Sequence, residues 1–262
     1  MKTSLIDTIF FSEKRKNLLL LLMDDPKTID EIKKELDVTS TAMLPQIKKL
    51  KENRLVVQNK GAYELSDIGE AVVEKMQPLV DILSVLGDNY DYWSNRDLNG
   101  IPKQLFKRIG ELGECTVVEP DLNHMFEPPQ QLKDSLDTTK RVMTFYSYFC
   151  PECPYNYSRL AEKGVEFSLV LTVPVFERLR DEYPEQMNAI MVSESANLFI
   201  STSESPIGAL SVTDDLMLLS LFNKEGIFDH RKIMSFGSDA LKWAEELFNH
   251  YLDTAEPVKL DR

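Results

Sequence analysis

Thr28-Ile-Asp-Glu31 constrains the fold of the first part of this chain more than any other short segment. A threonine followed three residues later by glutamate can close a capping box, each side chain satisfying an amide that the start of a helix leaves unpaired. Ile29, Ile32 and Leu36 then form the buried stripe of a short second helix. A first helix is predicted from Ser12 or Glu13 to Met23, where Leu18, Leu19, Leu22 and Met23 recur at helical spacing and Pro26 prevents continuation. The third follows the turn Asp37-Val38-Thr39-Ser40, with Leu44, Ile47 and Leu50 as its inward residues. Taking Thr41 as its cap puts Pro45 at N4, where the missing N–H deprives no carbonyl inside the helix. Two strand-like pieces, 55–58 and 62–65, are joined by Asn59-Lys60-Gly61, whose glycine can take positive φ. Three helices and a hairpin over residues 1–66 predict a winged helix-turn-helix.

Charge agrees with that division. Residues 1–66 hold 12 Lys and Arg against 10 Asp and Glu, while residues 67–262 hold 18 against 33. The net charge of −13 argues against a protein that wraps nucleic acid over its whole surface, but leaves room for one basic face. In a winged helix the third helix enters the major groove and the hairpin follows the neighbouring backbone. Ser40, Thr41, Met43 and Gln46 are the candidates for reaching base edges, and Lys48, Lys49, Asn59 and Lys60 for phosphates. A winged helix that docks protein and never touches DNA is the alternative, and Met43 by itself could simply be buried against the first helix.

Ser66 can cap a long helix whose Val72, Met76, Leu79, Leu83 and Leu86 form a seam of two heptads, interrupted by Pro78. Residues 67–114 are read as linking and dimerisation helices, since a homodimer would hold two recognition helices about one DNA turn apart. A junction is expected at 89–97. From 115 to 262 the pattern changes to strands (116–119, 142–148, 165–171, 189–192, 197–200, 207–212, 216–222) alternating with helices (130–139, 155–163, 175–182, 238–252). Phe167 to Val173 is apolar enough to be buried on both faces, so an α/β sandwich domain is expected. The fold class is mixed, α+β followed by α/β.

Several segments together resemble a known family: Ser12-Glu-Lys-Arg-Lys-Asn17, Asp91-Tyr-Trp-Ser-Asn-Arg-Asp97, Glu162-Lys-Gly-Val-Glu166, Leu169-Val-Leu-Thr172, Leu221-Phe-Asn-Lys-Glu-Gly226 with Phe228-Asp229, and Ala240-Leu-Lys-Trp-Ala-Glu-Glu-Leu-Phe248 with Tyr251. The chain is similar to archaeal, mostly methanogen, winged-helix transcriptional regulators whose second half is the methanogenesis-regulator middle domain. That resemblance implies DNA-binding transcription regulation and a sensor half distantly similar to phospholipase-D-like folds.

His230-Arg-Lys232 matches the His-x-Lys part of a phospholipase-D signature, which raises a phosphodiesterase-like hydrolase as a further alternative. The expected aspartate is replaced by Gly237, and neither His124 nor His250 supplies a second copy, so the protein is read as a non-enzyme without cofactor. Cys150-Pro-Glu-Cys153 has the spacing of a thiol redox pair or half a zinc site; Cys115 and His124 would have to converge on it to complete the latter. Reduced thiols in a plain loop, redox candidates and metal ligands all remain open readings, and no metal is assigned. Tyr146, Tyr148, Tyr155 and Tyr157 surround the same turn as candidates for a small-molecule pocket, with a tyrosine-rich core edge as the alternative. Three cysteines, no signal-like N-terminus and no long apolar run point to a cytoplasmic location without membrane contact.

Overall fold

In a computed structural model, which describes residues 4–121, 125, 127–202 and 207–258, the chain divides into two compact units, 1–80 and 81–262. The first contains α1 (Leu5–Phe10), α2 (Glu13–Leu21), β1 (Lys27–Thr28), α3 (Ile29–Glu35), α4 (Ser40–Glu52), β2 (Val56–Asn59), β3 (Ala62–Leu65) and the start of α5 (Asp67–Asp88). Local chemistry explains these boundaries. The Ser12 side chain accepts from the Arg15 amide, and Thr28 with Glu31 closes the full capping box. At the hairpin tip Lys60 (φ 49°) and Gly61 (φ 91°) both lie in the left-handed region, the signature of a type I′ turn between β2 and β3. β1 adds a third strand beside β3. Ser66 caps α5 by accepting from the Gly69 amide at 3.0 Å. A Cβ on Gly69 would lie 2.1 Å from the Leu55 carbonyl oxygen, so only glycine lets the wing and helix approach this closely.

Three details differ from expectation. Helix α1 precedes the expected three, capped by Ser4. The cap of α4 is Thr39, so Pro45 stands at the sixth helical position and leaves the Thr41 carbonyl without the amide four residues on. Met43, Ile47 and Leu50 face the core, whereas Leu44 is 45% exposed.

The second unit begins within α5 and continues with α6 (Tyr90–Ser94), α7 (Lys103–Phe106), a 3-10 turn (Ile109–Leu112), β4 (Cys115–Val118), α8 (Gln130–Thr138), β5 (Arg141–Tyr146), α9 (Cys153–Lys163), β6 (Glu166–Thr172), α10 (Val173–Glu182), α11 (Pro184–Val192), β7 (Ala196–Ser201), β8 (Ile207–Val212), β9 (Met217–Leu221), β10 (Lys232–Ser235), α12 (Ser238–Leu252) and β11 (Glu256–Pro257). Its sheet runs β11-β7-β6-β5-β8-β9-β10-β4. Strands β5, β6 and β7 are parallel neighbours, and the remaining pairs are antiparallel. Alternation sends Phe145, Leu210, Leu219 and Ile233 into one core with Trp243 and Phe248 of α12. Val142, Leu169, Leu218 and Met234 enter the other with Leu132 of α8 and Leu160 of α9. A mixed sheet between helical layers is thus the architecture of this unit.

Residues 67–114 do not form a separate segment, because α5 is shared and 81–114 belong to the second unit. Along the expected seam, Met76 is buried in the first core, Val72 and Leu86 are half-buried, and Leu79 (46%) and Leu83 (57%) are exposed. The expected junction is core: Tyr92, Trp93 and Arg96 are buried. Arg96 joins this segment to the β9–β10 connection, donating to Asp229 at 2.8 and 2.6 Å and stacking 4.3 Å from the Tyr92 ring centre. The Asp97 amide donates to Phe222 O and the Lys224 amide to Asn95 O, so two of the family-like sequence segments dock on each other. The expected strand at 189–192 lies in α11, started by Pro184 at N1. Strand β10 lies outside all the expected strands.

Candidate functional site

On the first unit, α4 divides cleanly into two faces. Met43, Ile47 and Leu50 anchor it inward, and the outward stripe is Thr41, Leu44, Pro45, Lys48 and Lys51. Lys48 is highly exposed and only loosely engaged by Glu52, at 4.0 Å. Lys51 donates to Gln58 of the wing at 3.0 Å and lies 5.9 Å from the Tyr63 ring centre, which ties the helix surface to the hairpin. Lys60 is exposed at the hairpin tip. Asn59 is also exposed and its amide donates to Glu64.

These positions redistribute the roles expected from sequence. Met43 is fully buried and cannot reach a base edge. Leu44 stands outward in its place. Ser40 is half-buried, Thr41 exposed, and Gln46 half-buried with its carbonyl oxygen accepting from Arg15 at 2.7 Å. Arg15, itself buried, also donates to the Thr8 carbonyl, so it braces α1 and α4 through one guanidinium. Lys49 is half-buried beside the exposed Lys48. Lys51 and Leu44, neither of them among the sequence candidates, also face outward, because the burial of Met43 fixes the rotation of the helix.

In the second unit, Tyr146, Tyr148, Cys150, Cys153 and Tyr157 converge around a cavity of about 20 Å³, room for little more than a water molecule. Tyr157 is buried and donates to Thr144. Tyr155 is 56% exposed and packs edge-on against Tyr183, so it leaves the expected pocket. The two thiols differ. The Cys153 side chain hydrogen-bonds Cys150, which lowers the Cys150 pKa from its ordinary value, with the Glu152 and Cys153 amides adding to the effect against burial. Burial pushes Cys153 well up, and its bond to Cys150 pushes further. Cys115 is raised to about 11 by burial and by Asp88. Cys115 packs on the opposite core from Cys150 and Cys153, and His124 lies outside the described residues. Among the described residues no cluster of three or more His, Cys, Asp or Glu could hold a metal.

A larger cavity of this unit lies elsewhere. About 370 Å³ opens beside Val118, Pro129, Gln131, His230 and Lys232. His230 has φ 62°, rests 4.6 Å from the Phe228 ring centre, and has its pKa lowered by burial and by Lys232. Among the described residues, no helix is long and apolar enough to cross a membrane.

Comparison with known proteins adds matches to two family models, one curated relative and several solved structures. Residues 3–84 match the family model of the N-terminal domain of methanogenesis regulatory protein FilR1, and residues 125–254 the model of its middle domain. FilR1 of Methanothrix harundinacea is 22% identical over 245 residues, which are 92% of this chain and 55% of that protein. The chain therefore spans about half the length of this curated relative. Among solved structures, the archaeal chromatin protein TrmBL2 is 12% identical over 97% of both chains, with a TM-score of 0.45. The phospholipase D family member Nuc of Salmonella typhimurium is 16% identical over 56% of this chain and 99% of its own, with a TM-score of 0.40. Likenesses this loose carry no functional conclusion. Through its N-terminal and middle regions, the chain is homologous to the methanogenesis regulatory protein FilR1.

Proposed function

We propose that the protein is a DNA-binding transcriptional regulator, working as a homodimer, whose second unit receives a small-molecule or redox signal. The observation that carries this reading is the outward stripe of α4 with the wing: Thr41, Lys48, Lys51 and Lys60 are all exposed while Met43, Ile47 and Leu50 secure the helix from behind. A helix in the major groove could present Thr41 and Leu44 to base edges, Leu44 suiting a thymine methyl, while the lysines meet phosphate. Exposed Leu79 and Leu83 on α5 support a partner-facing role for that helix. The protein is not an enzyme in this reading, and works in the cytoplasm. A ligand or oxidant would regulate only by favouring one arrangement of the paired units over another.

Exposed Leu44 and Pro45 also favour, as a second reading, a winged helix that docks an apolar protein surface. The two are separated by incubating the purified full chain with fragmented genomic DNA and sequencing what is retained. A regulator enriches a limited set of fragments, and Lys48→Ala with Lys60→Ala abolishes the enrichment. Uniform recovery, unchanged in that variant, overturns the regulator reading.

A further inference from the structure

Lys232 opens β10 and is 7% exposed, yet among the described residues no carboxylate or hydrogen-bond acceptor meets its ammonium. The groups acting on it electrostatically include the thiols of Cys150 and Cys153, which carry no charge while protonated, and the imidazole of His230, whose protonated form it opposes. Its neighbour across the sheet is Ser220 of β9, 1% exposed, whose hydroxyl has no hydrogen-bond partner. A largely buried ammonium that lines the cavity and a buried hydroxyl without a partner therefore stand side by side on one sheet face, and a buried polar group left without a partner costs stability. Lys232 lines both the cavity of about 370 Å³ and a narrow extension of about 20 Å³ that reaches Ser220. Of the three acidic side chains at the rim, Glu119 is engaged by Arg231 at 2.6 Å and Glu127 by Lys133 at 2.7 Å, and Asp121 is the third.

From this geometry we infer that the cavity is a binding site for a small anionic molecule, its carboxylate or phosphate oxygen received by Lys232 and Ser220. The ammonium supplies charge, the serine hydroxyl donates a second hydrogen bond, and the wider chamber holds the rest of the molecule. Buried anion recognition of this kind draws on charge-assisted hydrogen bonds that water no longer screens. As the entry point of the regulatory signal, the site rests on the regulator reading; its occupancy is measured without DNA, so the two ideas fail separately.

The test is thermal unfolding and calorimetric titration of the full chain with sodium phosphate and with sodium acetate, each against sodium chloride at equal ionic strength. At least one of the two anions should raise the unfolding temperature beyond chloride, and which one does so distinguishes a phosphorylated from a carboxylic ligand. Lys232→Met, which keeps the side-chain length and removes the charge of a largely buried residue, is expected to weaken that anion by roughly tenfold or more. Ser220→Ala should weaken it less. Failure of both anions to exceed chloride overturns the site, as does a shift that persists undiminished in both variants.

Discussion

Replacing Asp229 by asparagine should destabilise the second unit sharply. The Arg96 side chain is wholly buried, and its two terminal nitrogens donate to the Asp229 carboxylate at 2.8 and 2.6 Å. Its further partner, Leu221 O, lies at 3.4 Å, and its Nε has none. Asparagine keeps the shape but removes the charge and one acceptor, leaving a guanidinium buried against the Tyr92 ring without its counter-ion. Breaking such a pair costs about 3–5 kcal/mol, and the lower end applies because the Asp229 side chain is 33% exposed. For a unit of this size each kcal/mol moves the unfolding temperature by roughly 2–4 °C, so a fall of about 6–12 °C is expected at the low end. Scanning calorimetry reads it directly. The apolar double replacement Arg96→Met with Asp229→Leu should recover much of the loss, because neither charge is then left buried alone. A fall of less than about 2 °C in Asp229→Asn would refute the reasoning, as would a double variant worse than the sum of its parts.

The same pair gives a pH dependence. Burial tends to raise the Asp229 pKa, but hydrogen bonds from Arg96 and the Arg231 amide, with the attraction of both arginines, bring it below the ordinary 3.8. The native state thus holds the ionised form better than the unfolded chain, so this stabilisation is full above pH 3.8 and lost as pH falls through the native value; wild type should lose more stability there than Asp229→Asn. In the first unit, Met43→Ala should cost about 2–5 kcal/mol by denaturant titration, against less than about 1 kcal/mol for the outward Leu44→Ala. Lys60→Gly should stabilise the hairpin by about 1 kcal/mol, because a side chain no longer occupies the left-handed region, and should weaken DNA binding at the same time. Thiol labelling followed by mass spectrometry should modify Cys150 before Cys153, in keeping with the opposite directions of their pKa shifts.

What was legible in the sequence is what short-range chemistry decides. The caps at Ser12 and Thr28 and the hairpin turn at Gly61 each rest on residues within a few positions of one another. Adjacent apolar residues were not decidable locally: Met43 and Leu44 sit side by side, and a three-residue interval from Leu44 drifts off a helix with 3.6 residues per turn. Pro45 misled in the same place, because it suggested a later cap than Thr39. Residues 189–192 are apolar enough for strand or helix, and only Pro184 at the start of the segment favours the helix. The Arg96–Asp229 contact and the meeting of Lys232 with Ser220 join distant parts of the chain through sheet register, which no local pattern encodes. Tyr155 and Tyr157 lie two apart on α9, a separation that turns them to different sides, so a cluster in sequence became one exposed and one buried ring.

The central claim is that the outward lysines of α4 and the wing meet a phosphate backbone. Its most direct test is the salt dependence of affinity for an enriched genomic fragment, measured by fluorescence anisotropy for the wild type and for Lys48→Ala, Lys51→Ala and Lys60→Ala combined. If each lysine neutralises one phosphate, the slope of log affinity against log salt should become shallower by roughly 2.7 per protomer, with weaker binding throughout. An unchanged slope and affinity in a folded triple variant would contradict the account.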